Sequence, residues 1–476
     1  MVLHEGEQEA LRAEASEDVG ERNSDYQSPN FLRLAQKVDF RAVWPVVWPI
    51  ILGSAVQTLM SVTDTAFVGR LGQVALGGTA LGGLVYLVII MFAFGFGVGT
   101  QVLVAHRFGQ GRLRQVGRVL THAFLFQWAM GLSLFLLTWT TKDALLGWMI
   151  SSPNVLEAAD IYLSYRLFGL IFAHTNFTFR SFYVGMARTG VITLTSGMQV
   201  GANILLDYLL IFGIGPFPAM GIAGAALASM LAEVVCTCTF IVYTAVKIDR
   251  RRYRLFTFRV LSWPLLRHLV RLALPVMLQN VISTNAWLLF FIVIEHMGEQ
   301  ALAISQVVRS VFLIILIPVM GFTSATNTIV SFLLGRRQPQ RVIPVVRRIG
   351  WYCLAFVAPI SLLCAVFSRQ VLAVYTDDLA LIQGAMPVLY VVAFSSLFQS
   401  VGVVYFSGVT GTGRTMTALL LELAVLVVYL LAAYLLAHVF CMPLPVVWTV
   451  DLLYNVFLIA ATTLFFRLAP WRGDSI

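Results

Sequence analysis

Three polar side chains set in apolar stretches carry the chemistry open to this chain. Asp64 lies in SVTDTAFVGRLG, directly after WPVVWPIILGSAVQTLM, a run without a single charge. Asn203 and Asp207 share GANILLDYLLIFGIG; four residues apart, they fall on one face of a helix. A carboxylate in hydrocarbon is costly and is usually kept for a task. Two carboxylates close together in a weakly hydrated cavity cannot both ionise cheaply, so one should hold a proton near neutral pH. An asparagine beside them can donate to the ionised form or accept from the protonated one. The constellation suits reversible proton binding, and with added carbonyl and water oxygens it could also hold Na⁺. The plainer alternative is that each acid pairs with a local polar neighbour.

The elements that must position these groups are membrane helices. Of 476 residues, 59% are hydrophobic and only 12% charged, more apolar surface than a soluble core of this length can use. Runs of about 20 apolar residues account for it. Twelve spans are predicted, at 42–68, 78–105, 119–141, 160–186, 190–214, 221–246, 266–294, 302–334, 344–367, 384–410, 415–438 and 443–467. Basic residues gather in alternate loops: Arg107 to Arg118, KIDRRRYRLFTFR, Arg336 to Arg348, and Arg414. By the positive-inside rule both termini are cytoplasmic. This loop clustering assigns the net charge of +9 to membrane orientation and not to nucleic acid. The first 30 residues hold eight of the 23 acids and two of the 32 basic residues, a composition expected of a disordered tail.

The two halves repeat. A shift of 226 residues pairs Pro49 with Pro275, Thr58 with Thr284, Gly72 with Gly298 and Thr100 with Thr326. Later, at a shift of 223, FYVGMARTG faces YFSGVTGTG. Six spans per copy preserve orientation, so the copies should relate by a two-fold axis along the membrane normal. The expected fold is an all-α membrane protein, twelve transmembrane helices in two pseudo-two-fold-related six-helix lobes around a central cleft. Its parts are a cytoplasmic tail 1–40, an N-lobe 41–246, a basic linker 247–265, a C-lobe 266–467 and a cytoplasmic tail 468–476. Two lobes about a cleft is a plan for alternating-access transport.

Depth follows from spacing. Asp64 lies eight residues before Gly72, and Asp207 eight before Gly215. Both odd-numbered spans run outward, which puts both acids about 12 Å below the outer helix ends. The second half does not copy them: Phe290 falls opposite Asp64, and Leu430 opposite Asp207 at the later shift. Pro49 removes a backbone hydrogen bond early in the first span and leaves a place to bend; Pro275 at the matching place makes an architectural kink an equal reading. Glu233, Glu422 and Asp451 also sit in apolar spans, as substrate contacts or as satisfied interhelical hydrogen bonds. His174, Asn176 and Arg180 are candidate cleft-lining residues, with packing as the alternative. The five cysteines fit small packing roles, and the GFGVG of Gly95 to Gly99 fits close helix approach. No P-loop or nucleophile–base constellation is present, so neither ATP-driven transport nor an enzyme is expected.

VTDTAFVGRLGQVALGG after the first span, NILLDYLLIFGIG in the fifth and GTGRT at Gly411 to Thr415 resemble the multidrug and toxic compound extrusion (MATE) family from about residue 40 onward. The buried acids are similar to those of its DinF-type branch. That resemblance implies a cation-coupling site at Asp64, Asn203 and Asp207 and a helix-kink role for Pro49. The NorM-type branch has a seventh-span glutamate and a tenth-span aspartate; here Ser283 stands at the first place and the tenth span carries no acid. This departure favours H⁺ over Na⁺. The resemblance further implies a secondary antiporter in the plasma (inner) membrane, working as a single chain without a cofactor or bound metal. It would export small organic, often cationic and amphipathic, compounds in exchange for H⁺ or Na⁺. A flippase or exporter of a lipid-linked or metabolite substrate on the same plan is the alternative.

Overall fold

The computed structural model describes residues 39–215, 217–255 and 262–472. Most of the two expected tails and part of the expected linker lie outside the described residues. Those described residues form helices and turns with no strand, as expected where backbone polar groups must be satisfied within each segment.

The first half comprises α1 (Phe40–Gly69), α2 (Gln73–Gly109), α3 (Leu113–Met149), α4 (Pro153–Leu167), α5 (Leu170–Gly185), α6 (Gly190–Phe212), α7 (Gly221–Lys247) and the short α8 (Arg250–Tyr253). The second comprises α9 (Trp263–Glu295), α10 (Glu299–Gly335), α11 (Val342–Val366), α12 (Ser368–Ala373), α13 (Leu379–Gly411), α14 (Thr415–Tyr434), α15 (Leu444–Val447) and α16 (Val450–Leu468). Eleven helical segments among the described residues are long and apolar enough to cross a membrane. The twelfth crossing is the fourth, expected as one helix over 160–186. It is instead two helices, α4 and α5, parted at Phe168 and Gly169. The eleventh, expected over 415–438, runs from Thr415 and closes on a π-helical turn at Leu435–Val439. Apolar side chains such as Leu136, Val242, Leu362 and Leu420 stay exposed along the helices, the surface a bilayer covers.

By contact the chain falls into two units, Trp48–Met277, and Leu278 onward joined by the start of α1 through Val47. Within the first, glycines set the approach of helices. A Cβ at Gly95 would lie 2.5 Å from Met277 Cα, and one at Gly99 2.6 Å from Ala273 Cα, so only glycine admits α9 this close to α2. A Cβ at Gly224 would lie 2.6 Å from the Leu210 carbonyl oxygen, which fixes α7 against α6. The linker start is also held: Asp249 Oδ1 accepts from the amides of Arg251 and Arg252, and the carbonyl of buried Tyr253 abuts Gly117.

The second unit is stitched by side chains. Trp448 Nε1 donates to Ser305 Oγ (3.1 Å) and Ser331 Oγ to the Gly411 carbonyl (2.6 Å). Phe290, opposite Asp64 in the repeat, is 1% exposed and packs on Tyr429 and Trp448 at ring separations of 5.5 and 5.1 Å. An aromatic core thus occupies the place of the acid. The repeat also extends to backbone shape. Gly72 and its counterpart Gly298 precede α2 and α10 with φ of 106° and 120° and extended ψ, a combination open essentially to glycine alone.

Candidate functional site

Helices α1 and α6 bring the two acids together through register. A Cβ at Gly53 would lie 3.2 Å from both Ile192 Cγ2 and Ser196 Oγ, so the helices touch there. The approach is fixed further by Thr193 Oγ1, which donates to the Pro49 carbonyl at 3.0 Å. Asp64 follows Gly53 by eleven residues and Asp207 follows Ser196 by eleven. Eleven residues make about three turns and a rise of roughly 16 Å, so both side chains return to the face on which the helices meet. The helices end earlier than the loop glycines suggested, α1 at Gly69 and α6 at Phe212. Each acid therefore lies five residues, about 7.5 Å, below its last helical residue rather than about 12 Å. The equality of depth is unchanged.

At that level Asp64 lies beside Asp207, Asn203 and Ser229. Asp207 is 1% exposed and Asn203 fully buried. Both carboxylate oxygens of Asp207 and Oδ1 of Asp64 are buried without a protein donor. Asn203 Nδ2 lies 3.5 Å from Ser229 Oγ on α7. Two neighbouring carboxylates present only acceptors to each other. A proton on one, or a cation shared by both, supplies what the contact lacks.

A second polar group lies beside this pair and includes a residue the sequence analysis passed over. Arg166 on α4 is buried and donates through Nη2 to Glu233 Oε1 on α7 at 2.7 Å. Tyr86 on α2 donates to the same carboxylate at 3.1 Å, and the guanidinium carbon lies 4.0 Å from the Tyr86 ring centre. Asn176 Nδ2 donates to the Glu233 carbonyl (3.1 Å) while its Oδ1 accepts from Thr237 (2.8 Å). Glu233 thus has a basic partner 67 residues away. Arg166 also acts electrostatically on Asp64, which links the two groups. The signal for it was present: a charged residue within the span predicted at 160–186, the criterion that singled out Asp64.

A cavity of about 400 Å³ opens beside this network, entirely within the first unit. Arg166, Asn176, Arg180 and Glu233 line it together with Tyr86, Tyr162, Phe177, Phe240 and Met60. His174 does not. It is fully buried, with Nδ1 2.8 Å from the Leu170 carbonyl and its ring against Gly131 of α3. Glu422 of α14 accepts from Ser283 of α9 and Tyr454 of α16, both at 2.9 Å, while Asp451 is buried on α16.

Comparison with known proteins agrees with this architecture. The profile of the MatE family matches the chain twice, over residues 49–209 and 275–435, at the same 226-residue step as the internal repeat. A "Probable multidrug resistance protein NorM" of Mesorhizobium japonicum is 26% identical over 351 residues, 71% of this chain and 73% of that protein. A protein of the same name from Thermotoga maritima is 23% identical over 428 residues, 89% and 91% of the two chains. A solved structure described as the outward-facing conformation of a multidrug resistance MATE family transporter of the MOP superfamily superposes with a TM-score of 0.85 at 22% identity, over 92% of this chain and 97% of that one. With two family matches that fill most of the chain and the fold of a MATE transporter, the protein belongs to the MatE family and is a multi-pass membrane transporter.

Proposed function

We propose that this transporter is a proton-driven antiporter that exports amphipathic organic compounds, with Asp64, Asn203 and Asp207 as its coupling site. The neighbouring carboxylates of half-buried Asp64 and buried Asp207, with three buried oxygens that find no donor, carry the reading. A proton bound there removes one charge and forms the hydrogen bond the pair lacks; its departure restores repulsion between α1 and α6. Pro49 supplies a weak place in α1 close to the Gly53 contact, so the repulsion can be relieved by bending. Arg166 is positioned to relay the change of charge, because it acts on Asp64 and also borders the cavity. The multidrug names of the relatives support small organic compounds as cargo. The cationic loops support an inner-membrane orientation with both termini cytoplasmic.

The test is efflux from proteoliposomes of a fluorescent organic compound, driven by an imposed pH gradient or by an imposed Na⁺ gradient. Flux under the pH gradient that vanishes in Asp64→Asn, with folding intact, is the expected result. Undiminished pH-driven flux in that variant rejects the site, and flux driven by Na⁺ alone replaces the ion.

A further inference from the structure

Among the charges that line the cavity, one has no ion-pair partner. Glu233 neutralises Arg166, to which it is hydrogen-bonded at 2.7 Å. Arg180, one turn after Asn176 on the same face of α5, borders the cavity half-buried, and among the described residues no acidic side chain pairs with it. Nη1 of Arg166, in a residue 8% exposed, is also buried without an acceptor. A guanidinium keeps its proton under all physiological conditions, so it cannot escape the cost of burial by neutralising as a carboxylate can. An unpaired charge there is expensive unless a counter-charge arrives. Its planar fork of donors fits a carboxylate in bidentate fashion.

The remaining walls say what the carboxylate is attached to. Phe177 and Phe240 present aromatic surface to the same space, and about 400 Å³ lies within the range for drug-sized ligands. A small inorganic anion would leave that surface wet.

We propose that Arg180 binds the carboxylate of an amphipathic aromatic acid or zwitterion whose ring system fills the Phe177–Phe240 side of the cavity. This deepens the transport reading and rests on it, naming the residue that selects carboxylate-bearing cargo. Glu233 meanwhile remains engaged by Arg166 and Tyr86, and so offers little to a cation.

Equilibrium binding to the purified full chain, without any ion gradient, tests it. The probes are anthracene-9-carboxylate and its neutral primary amide, followed by fluorescence anisotropy. The wild type should bind the acid at least ten-fold more tightly than the amide. Arg180→Gln should reduce that ratio below about two-fold, and Arg180→Lys should retain a clear part of it, through charge without the planar fork. Equal affinities in the wild type overturn the proposal, as does an equal loss for both probes in Arg180→Gln. The wild-type comparison decides even where a variant fails to fold. Because no gradient is applied, acid preference without pH-driven flux refutes the transport reading alone. Flux of a cationic dye without acid preference refutes this inference alone.

Discussion

Removal of one partner from the Arg166–Glu233 pair gives the sharpest check on the packing of the first unit. Glu233→Ala deletes the carboxylate that accepts from Arg166 at 2.7 Å and from Tyr86 at 3.1 Å. The guanidinium, 8% exposed, then has no counter-charge, and the Tyr86 hydroxyl loses its acceptor. Breaking a buried ion pair by removing one partner costs about 3–5 kcal/mol. The stranded hydroxyl falls within that figure, at about 1–3 kcal/mol. Replacing both charges by leucine in Arg166→Leu/Glu233→Leu should recover most of the loss, since apolar side chains of similar volume restore the packing without desolvating ions, leaving only the Tyr86 hydroxyl stranded. A thiol-reactive dye in detergent reads this directly, because Cys236 and Cys353 are 4% and 0% exposed and react only on unfolding. Exposed Cys238 and Cys441 and half-buried Cys364 are changed to serine beforehand, and all melts share one scan rate because such unfolding is irreversible. The midpoint should fall clearly in Glu233→Ala and return most of the way to the parent value in the double variant. A single variant that melts with the parent, or a double variant no better than the single, refutes the reasoning.

At Gly53 alanine requires its neighbours to yield by only a few tenths of an ångström, whereas valine must push α1 away from Ile192 and Ser196. Gly53→Val should lower pH-driven efflux at least ten-fold with an unchanged gel-filtration profile; a wild-type rate would mean that this contact does not govern the acid pair. In the second unit, Glu422→Gln keeps an acceptor for Ser283 and Tyr454 and should leave the thermal midpoint nearly unmoved. Glu422→Leu strands two hydroxyls, at about 1–3 kcal/mol each, and should lower it; equal melting of the two variants would contradict the hydrogen-bond role.

Much of this architecture was legible because membrane spans are written in composition. The predicted seventh and eighth spans, 266–294 and 302–334, fall inside α9 at 263–295 and α10 at 299–335. The acid pair was legible because a charge in an apolar run is conspicuous and equal distances to a loop imply equal depth. The split of the fourth crossing was not, because no proline marks it. Its cause is tertiary: a Cβ at Gly169 would lie 2.7 Å from Glu233 Oε2 and 3.0 Å from Arg166 Nη1, and the ion pair occupies that space. Arg166 itself was passed over because its partner is on another helix and no local spacing announces the pair. His174, Asn176 and Arg180 share a helix end, yet Asn176 and Arg180 border the cavity while His174 turns to Gly131. Helical period separates them, but which face meets the cavity depends on neighbours that sequence spacing does not specify.

The eleven-residue interval between the Gly53 contact and Asp64 makes α1 a lever with its load at one end. With an arm of roughly 16 Å, a tilt of about 10° at Gly53 carries Asp64 through about 3 Å. That travel is as long as the hydrogen bond itself, about 2.7 Å between oxygens. The acid pair is therefore a two-position gauge of helix angle: a small swing below opens the contact completely above. On the proposed proton coupling, holding or losing one proton would amount to latching or releasing the arm.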